Sequence, residues 1–258
     1  MKRKVWIWIA VAAVLALVAG VAATVLLTQK AEEQDRAQMV AEYRAAKRQQ
    51  YEQENQQYAD YEVEVAFLGD SLTDGYDLAK YYPQYVTANR GIGGDTTYDL
   101  QERLQVSVYD LKPQVAVMLI GANNPETMLE NYEDILIGLR DHLPDTKVVL
   151  LSMTAMGGEH WGRWNGQACL NNVSIRLLAE KYGCAYVDVF TPLFDVDTGE
   201  VREGYTVDGG HFTHEGYTVL TDTITPVLQE ILGKYEKPLG VTRAVFCYKT
   251  RFLLGVVS

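Results

Sequence analysis

Downstream of residue 61 the chain alternates short apolar runs with helix-patterned stretches, and this alternation limits the fold more than any other feature. The runs cover residues 63–68, 85–89, 115–120, 147–153 and 185–189 and are rich in Val, Leu and Ala. They are continuously apolar instead of apolar at every second residue, as expected of strands buried on both faces. Between and after them, Met128, Tyr132, Ile135, Leu136, Leu139 and Leu143 recur at three- and four-residue spacing. Tyr217, Leu220, Ile224, Val227, Leu228 and Ile231 do the same. Each set is the apolar stripe of an amphipathic helix. Strands that alternate with helices build a parallel sheet covered on both sides, so the expected class is α/β, three layers around five parallel strands.

Open parallel sheets bind ligands beyond the carboxyl ends of their strands. The reactive residue types of this sequence gather after those ends. Run one leads into Gly69-Asp70-Ser71-Leu72-Thr73-Asp74-Gly75, run two into Arg90-Gly91-Ile92-Gly93-Gly94-Asp95, and run three into Gly121-Ala122-Asn123-Asn124. Run four opens a Gly- and Trp-bearing loop over residues 156–166, and the segment after run five carries Asp208-Gly209-Gly210-His211. A serine where a strand turns into glycine-flanked chain is presented as an open hydroxyl nucleophile. The competing reading of that stretch alone is a polar turn.

Composition narrows the classes further. With 258 residues, 48% hydrophobic, the chain suffices for one full-sized core and an appendage. A net charge of -11 argues against a nucleic-acid partner, whose phosphates select clustered Lys and Arg. Cys169, Cys184 and Cys247 have no zinc-type spacing, so no metal is expected. A Cys169–Cys184 disulfide and buried free thiols both remain open. A metal held by His211 and His214 with Asp70 or Asp95 is set aside in favour of His214 at the start of the last helix. The glycines at 91–94 lack the spacing of a phosphate-cradling loop.

The amino-terminal quarter differs in texture. Lys2, Arg3 and Lys4 precede residues 5–28, which include no charged side chain. That run exceeds the roughly 20 residues needed to cross a bilayer. A retained signal-anchor is preferred to a cleaved peptide, although Ala19, Ala22 and Ala23 would suit cleavage. The basic cluster orients the amino terminus toward the cytoplasm and the rest outside. Residues 29–61 contain neither Gly nor Pro and read as a helical or flexible stalk. The expected organisation is an anchor at 1–28, a stalk at 29–61, a catalytic domain at 62–235 and a tail at 236–258, to which the sequence assigns no structure.

The segments Gly69-Asp70-Ser71-Leu72, Gly94-Asp95, Gly121-Ala122-Asn123 and Asp208-Gly209-Gly210-His211 resemble the four signature blocks of the SGNH (GDSL-type) hydrolases, in the family's order. The resemblance spans residues 62–235. It implies a flavodoxin-like α/β/α fold and hydrolysis of esters or thioesters through an acyl-enzyme, without a cofactor. It makes Ser71 the nucleophile, His211 the general base and Asp208 its partner, with Ser71, Gly94 and Asn123 forming the oxyanion hole. Asn124 stands where many members carry Asp. These residue types suit the roles. A serine needs an imidazole to take its proton, and a carboxylate fixes the ring's tautomer. Gly94 lets its backbone N–H come close, and the Asn123 amide is a donor that never titrates.

Trp161 and Trp164, flanking Arg163, are candidates to stack on sugar rings or shape an acyl site; the alternative is that they only cover the following helix. Tyr76 and Asn124 are further candidates for substrate contact. The reading is a membrane-anchored, extracytoplasmic serine esterase acting on O-acetyl or other small acyl esters of carbohydrate or cell-wall glycan. A lysophospholipid, another lipid ester or a thioester is the alternative substrate. A non-catalytic surface glycan-binding protein is the alternative of a different class.

Overall fold

A computed structural model describes the backbone of residues 2–233, with side chains described at Trp8 and from Gly20 onward. The tail expected at 236–258 and Cys247 lie outside the described residues, as do most side chains of the apolar run at 5–28. Among the described residues, no helix is long and apolar enough to cross a membrane.

The first element, α1 (Lys2–Asn55), is one uninterrupted helix, consistent with its lack of Pro and a composition of Ala, Glu, Gln, Lys and Arg. The catalytic domain begins with β1 (Val65–Gly69), followed by α2 (Ser71–Asp74), α3 (Leu78–Tyr81) and β2 (Thr87–Gly91). Next come α4 (Thr97–Glu102), a π-turn, β3 (Val115–Leu119) and α5 (Leu129–His142). Then follow β4 (Lys147–Leu151), α6 (Gly158–Trp161), α7 (Asn165–Tyr182) and β5 (Ala185–Val187). The chain ends its described part with α8 (Phe190–Leu193), a small antiparallel ribbon of β6 (Phe194–Asp195) and β7 (Glu200–Val201), and α9 (His214–Ile231). The second strand runs two residues later than the sequence pattern indicates, because 85–86 belong to the approach to it. The expected loop at 156–166 holds α6, a 3-10 turn and the start of α7.

The five main strands form one parallel sheet in the order β2-β1-β3-β4-β5. Helices α4, α5 and α7 contact one another in one layer, and α9 packs with α8 in the other, giving the three-layer α/β/α arrangement. Val65, Leu68, Val115, Met118, Val149 and Leu150 are fully buried in the core between the layers. Fully apolar strands sit at the middle of such a sheet because both faces are covered.

The end of α1 is not a free stalk. Its Tyr51 is 1% exposed and donates a hydrogen bond to the Gly91 carbonyl at 2.5 Å. Glu54 pairs with the buried Arg90 at 2.5 Å, and Asn55 donates to the Val106 carbonyl at 2.7 Å. β2 is an edge strand, and an edge left open is a template for unwanted pairing. Here the end of α1 meets it through Tyr51 on the Gly91 carbonyl and Glu54 and Asn55 on Arg90.

Candidate active site

Ser71, the expected nucleophile, sits where β1 stops. Asp70 caps α2 by accepting the Leu72 N–H at 3.1 Å, which forces the sharp strand-to-helix turn and leaves Ser71 at the helix start. Gly91 makes this turn fit. A Cβ at that position would lie 2.1 Å from the Asp74 nitrogen, so only glycine lets β2 pass beside α2.

His211 reaches Ser71 from the segment before α9. Its Nε2 lies 3.0 Å from the Ser71 Oγ, and its Nδ1 lies 2.7 Å from the Asp208 Oδ2. The other oxygen of Asp208 accepts the backbone N–H groups of Gly210 at 3.0 Å and His211 at 2.8 Å. Partial burial pulls the Asp208 pKa upward, but these N–H groups and the imidazole outweigh it and hold the carboxyl near 2. Asp208 therefore stays ionised and keeps the Nδ1 proton in place, leaving Nε2 to accept the serine proton.

The donors for a developing oxyanion come from two loops. Gly94 has φ +79, a conformation open to glycine, and its N–H has no partner among the described residues. The adjacent Gly93 lies against the nucleophile, where an added Cβ would be 3.9 Å from the Ser71 Cβ. Asn123 uses one amide hydrogen on the Asp95 carbonyl at 2.9 Å, and an amide carries two. The two donor loops are thereby tied to each other.

Asp95, from the second signature block, forms a buried charge pair with Arg103, which no motif signalled. Arg103 donates from Nε to Asp95 at 2.7 Å and from its other nitrogens to the carbonyls of Arg90 and Gly69, at 2.9 and 2.8 Å. Arg103 and Asp95 are 2% and 1% exposed. Burial pushes the Asp95 pKa up against the pull of Arg103 and Arg44, and a second buried carboxyl, Asp70, is pushed by burial up to about 7. The guanidinium joins the ends of β1 and β2, from which the nucleophile and the oxyanion loop depart. Only the tertiary fold brings these groups together.

The hollow beside Ser71 and His211 is walled by Leu72, Ala122, Thr154, Met156 and Trp161. Trp161 stands edge-on to the His211 ring, 5.9 Å between centroids. The other candidate contacts lie elsewhere. Trp164 is packed against the core with Arg163 over its ring at 5.0 Å and does not line the hollow. Tyr76 is 4% exposed, bonded to Tyr82 and Thr221 and stacked on Tyr217, because a cluster of tyrosines fills the space behind α2. Asn124 bonds Thr97 and Thr127 and so holds its own loop to α4. His214 engages Tyr81 and Lys80 instead of facing Ser71. Cys169 and Cys184 are free thiols, the first exposed and the second pushed by burial up to about 11.

Residues 67–219, more than half of the chain, match the model of the GDSL-like lipase/acylhydrolase family. Among solved structures, a candidate platelet activating factor from Streptococcus pneumonia is 26% identical with a TM-score of 0.69, over 76% of this chain and 97% of the other. A GDSL-like lipase from Bacteroides thetaiotaomicron is 23% identical with a TM-score of 0.63, over 71% and 97%. An acetyl xylan esterase is 22% identical with a TM-score of 0.54, over 64% and 99%. No curated protein matches. A strand-end serine, its imidazole and carboxylate, and two donor loops on one sheet edge agree with that match: the chain belongs to the GDSL-like lipase/acylhydrolase family and is an ester-hydrolysing serine hydrolase.

Proposed function

We propose that this protein removes short acyl groups, acetyl foremost, from carbohydrate esters outside the cell, held at a membrane by its amino-terminal helix. The observation that carries the substrate reading is the small hollow beside Ser71, lined by Met156, Thr154 and Trp161. An acetyl group fits such a space, whereas a long acyl chain needs a channel leading away from it. Trp161 brings an indole to the wall of the hollow beside His211, and a sugar ring can stack on the face of such a ring. Sharing a fold with an acetyl xylan esterase is in keeping with this. The anchoring and outside location rest on the uncharged run at 5–28 behind three basic residues.

The mechanism follows from the geometry. Ser71 Oγ gives its proton to His211 Nε2 across 3.0 Å and attacks the ester carbonyl. Asp208 stabilises the resulting imidazolium through Nδ1. The Gly94 N–H, the free hydrogen of the Asn123 amide and the Ser71 N–H receive the oxyanion. His211 then protonates the leaving alcohol, and a water deprotonated by the same ring releases the acid from the acyl-enzyme.

The test is a panel of p-nitrophenyl acetate, butyrate and octanoate with acetylated xylan and a lysophospholipid, run on the full chain and on Ser71→Ala. Acetate and acetylated xylan should be the best substrates, and Ser71→Ala should lose activity on all. Faster turnover of octanoate or lysophospholipid would replace the acetyl assignment with a lipid one. A Ser71→Ala protein as fast as wild type would remove the nucleophile assignment.

A further inference from the structure

We propose that Arg44, on the helix ahead of the catalytic domain, is a positioning residue that sets the oxyanion loop. The inference rests on the serine-hydrolase reading of the same site. No signature block contains Arg44, and it lies 50 residues before the loop it touches.

The side chain has three attachments at once. Its Nη2 donates to the Gly94 carbonyl at 3.1 Å. Its Nη1 and Nη2 hold both oxygens of Asp99, at 2.8 and 3.1 Å, and Asp99 caps α4 immediately after the loop. Its Nε lies 3.0 Å from the Asp95 carboxylate, the group that Arg103 grips from below. A planar fork can satisfy a carboxylate and a carbonyl together, which an ammonium cannot do. Arg44 thus pins the Gly94–Asp95 peptide unit by its carbonyl and holds the carboxylates of Asp95 and Asp99 that follow it. The Asp95 carbonyl is also the acceptor for Asn123, so both donors to the oxyanion depend on where this segment lies.

The neighbouring turns of α1 act on the same loop. Tyr43 donates to Asp74, and Lys47 pairs with Asp74 at 2.6 Å. Asp74 in turn accepts the Gly93 N–H at 3.3 Å. Residues 43, 44, 47 and 51 fall on one helical face, and that face meets the chain from Gly91 to Asp99. Ordinary surface packing would not need a three-way guanidinium clamp. Gly94, with φ +79 and nothing within 4 Å of where a Cβ would stand, has no side chain to fix its own position. An external brace supplies what that glycine lacks.

The experiment compares Arg44→Ala and Arg44→Lys with wild type and with Gln38→Ala, an exposed control on the same helix, in the full chain on p-nitrophenyl acetate. Losing one oxyanion donor outright costs on the order of 100-fold, so displacing one should lower kcat in Arg44→Ala by about 10-fold. KM should stay close to wild type, because the acyl hollow is untouched, and the thermal midpoint should fall little. Inactivation by an alkyl phosphonate, whose phosphoryl oxygen occupies the same hole, should slow in parallel with kcat. Arg44→Lys should fall between, and Gln38→Ala should match wild type. An unchanged kcat in Arg44→Ala, or a loss confined to KM, would overturn the proposal. If Arg44→Ala unfolds, Arg44→Lys decides on the same two criteria. Ser71→Ala assayed alongside separates the failures: an inactive Ser71→Ala with normal Arg44 variants sinks this inference and leaves the esterase standing.

Discussion

The docking of α1 onto β2 can be tested at Tyr51, whose hydroxyl and ring each have a defined partner. Replacing Tyr51 by Phe keeps the ring under the Arg90 guanidinium, which lies 4.6 Å from its centroid, and removes only the hydroxyl. That hydroxyl donates to the Gly91 carbonyl at 2.5 Å, and burial pushes its pKa up, so it is a neutral donor at all ordinary pH. A buried acceptor left without its partner costs roughly 1–3 kcal/mol. For a domain of this size each kcal/mol shifts the midpoint by about 2–4 °C, so Tyr51→Phe should melt roughly 2–12 °C lower. Tyr51→Ala removes the ring as well, and truncation of a buried aromatic costs about 3–5 kcal/mol. Thermal unfolding followed by circular dichroism on the full chain gives both values. If both variants melt together with wild type, the helix does not meet the strand edge in solution. The account of the edge, and the brace on the oxyanion loop that depends on it, would then be wrong.

Asn123→Ala should lower kcat on p-nitrophenyl acetate by about 100-fold with little change in stability, since one oxyanion donor is lost; a loss under threefold would remove Asn123 from the hole. Asp70 gives a pH signature. Burial raises its carboxyl from the ordinary 3.8 to about 7, so the folded state holds the proton more tightly than the unfolded chain. Its contribution to stability is complete below about pH 4 and is lost as the pH climbs through 7. Asp70→Asn keeps an uncharged group with the capping oxygen, so it should gain on wild type between pH 4 and pH 8. At ~1.4 kcal/mol per pH unit the gain has an upper bound on the order of 4 kcal/mol. Urea unfolding at the two pH values checks it, and a pH-independent difference would refute the assignment.

What could be read from the residues was what is local. A parallel sheet brings its strand ends to one edge, and the resemblance of four short segments to the SGNH blocks gives Ser71, Gly94, Asn123, Asp208 and His211 their expected roles from sequence alone. The unread parts depend on contacts between distant segments. Tyr43, Arg44, Lys47 and Tyr51 are embedded in a charged helix whose composition equally suits a solvated stalk, and nothing in their spacing says that they meet residues 91–99. Arg103 and Asp95 are charged residues with almost no exposure, against the usual tendency of both types. Trp161 and Trp164 are alike in type and both pack against the core, but only Trp161 also lines the hollow. Tyr76 looked available because tyrosine tolerates either water or burial, and only Tyr82, Tyr217 and Thr221 around it decide the matter.

Because α1 enters the domain through buried Tyr51 and the Glu54–Arg90 pair, the junction has no hinge. The stretch from Gln29, just past the uncharged run, to Glu42 then works as a ruler about 21 Å long, at 1.5 Å per residue. Whatever grips its far end fixes both the standoff and the heading of the catalytic mouth. Lengthening the rod by one heptad would carry that mouth about 10 Å outward with little rotation. Under the proposed anchoring, reach is therefore written in residue count.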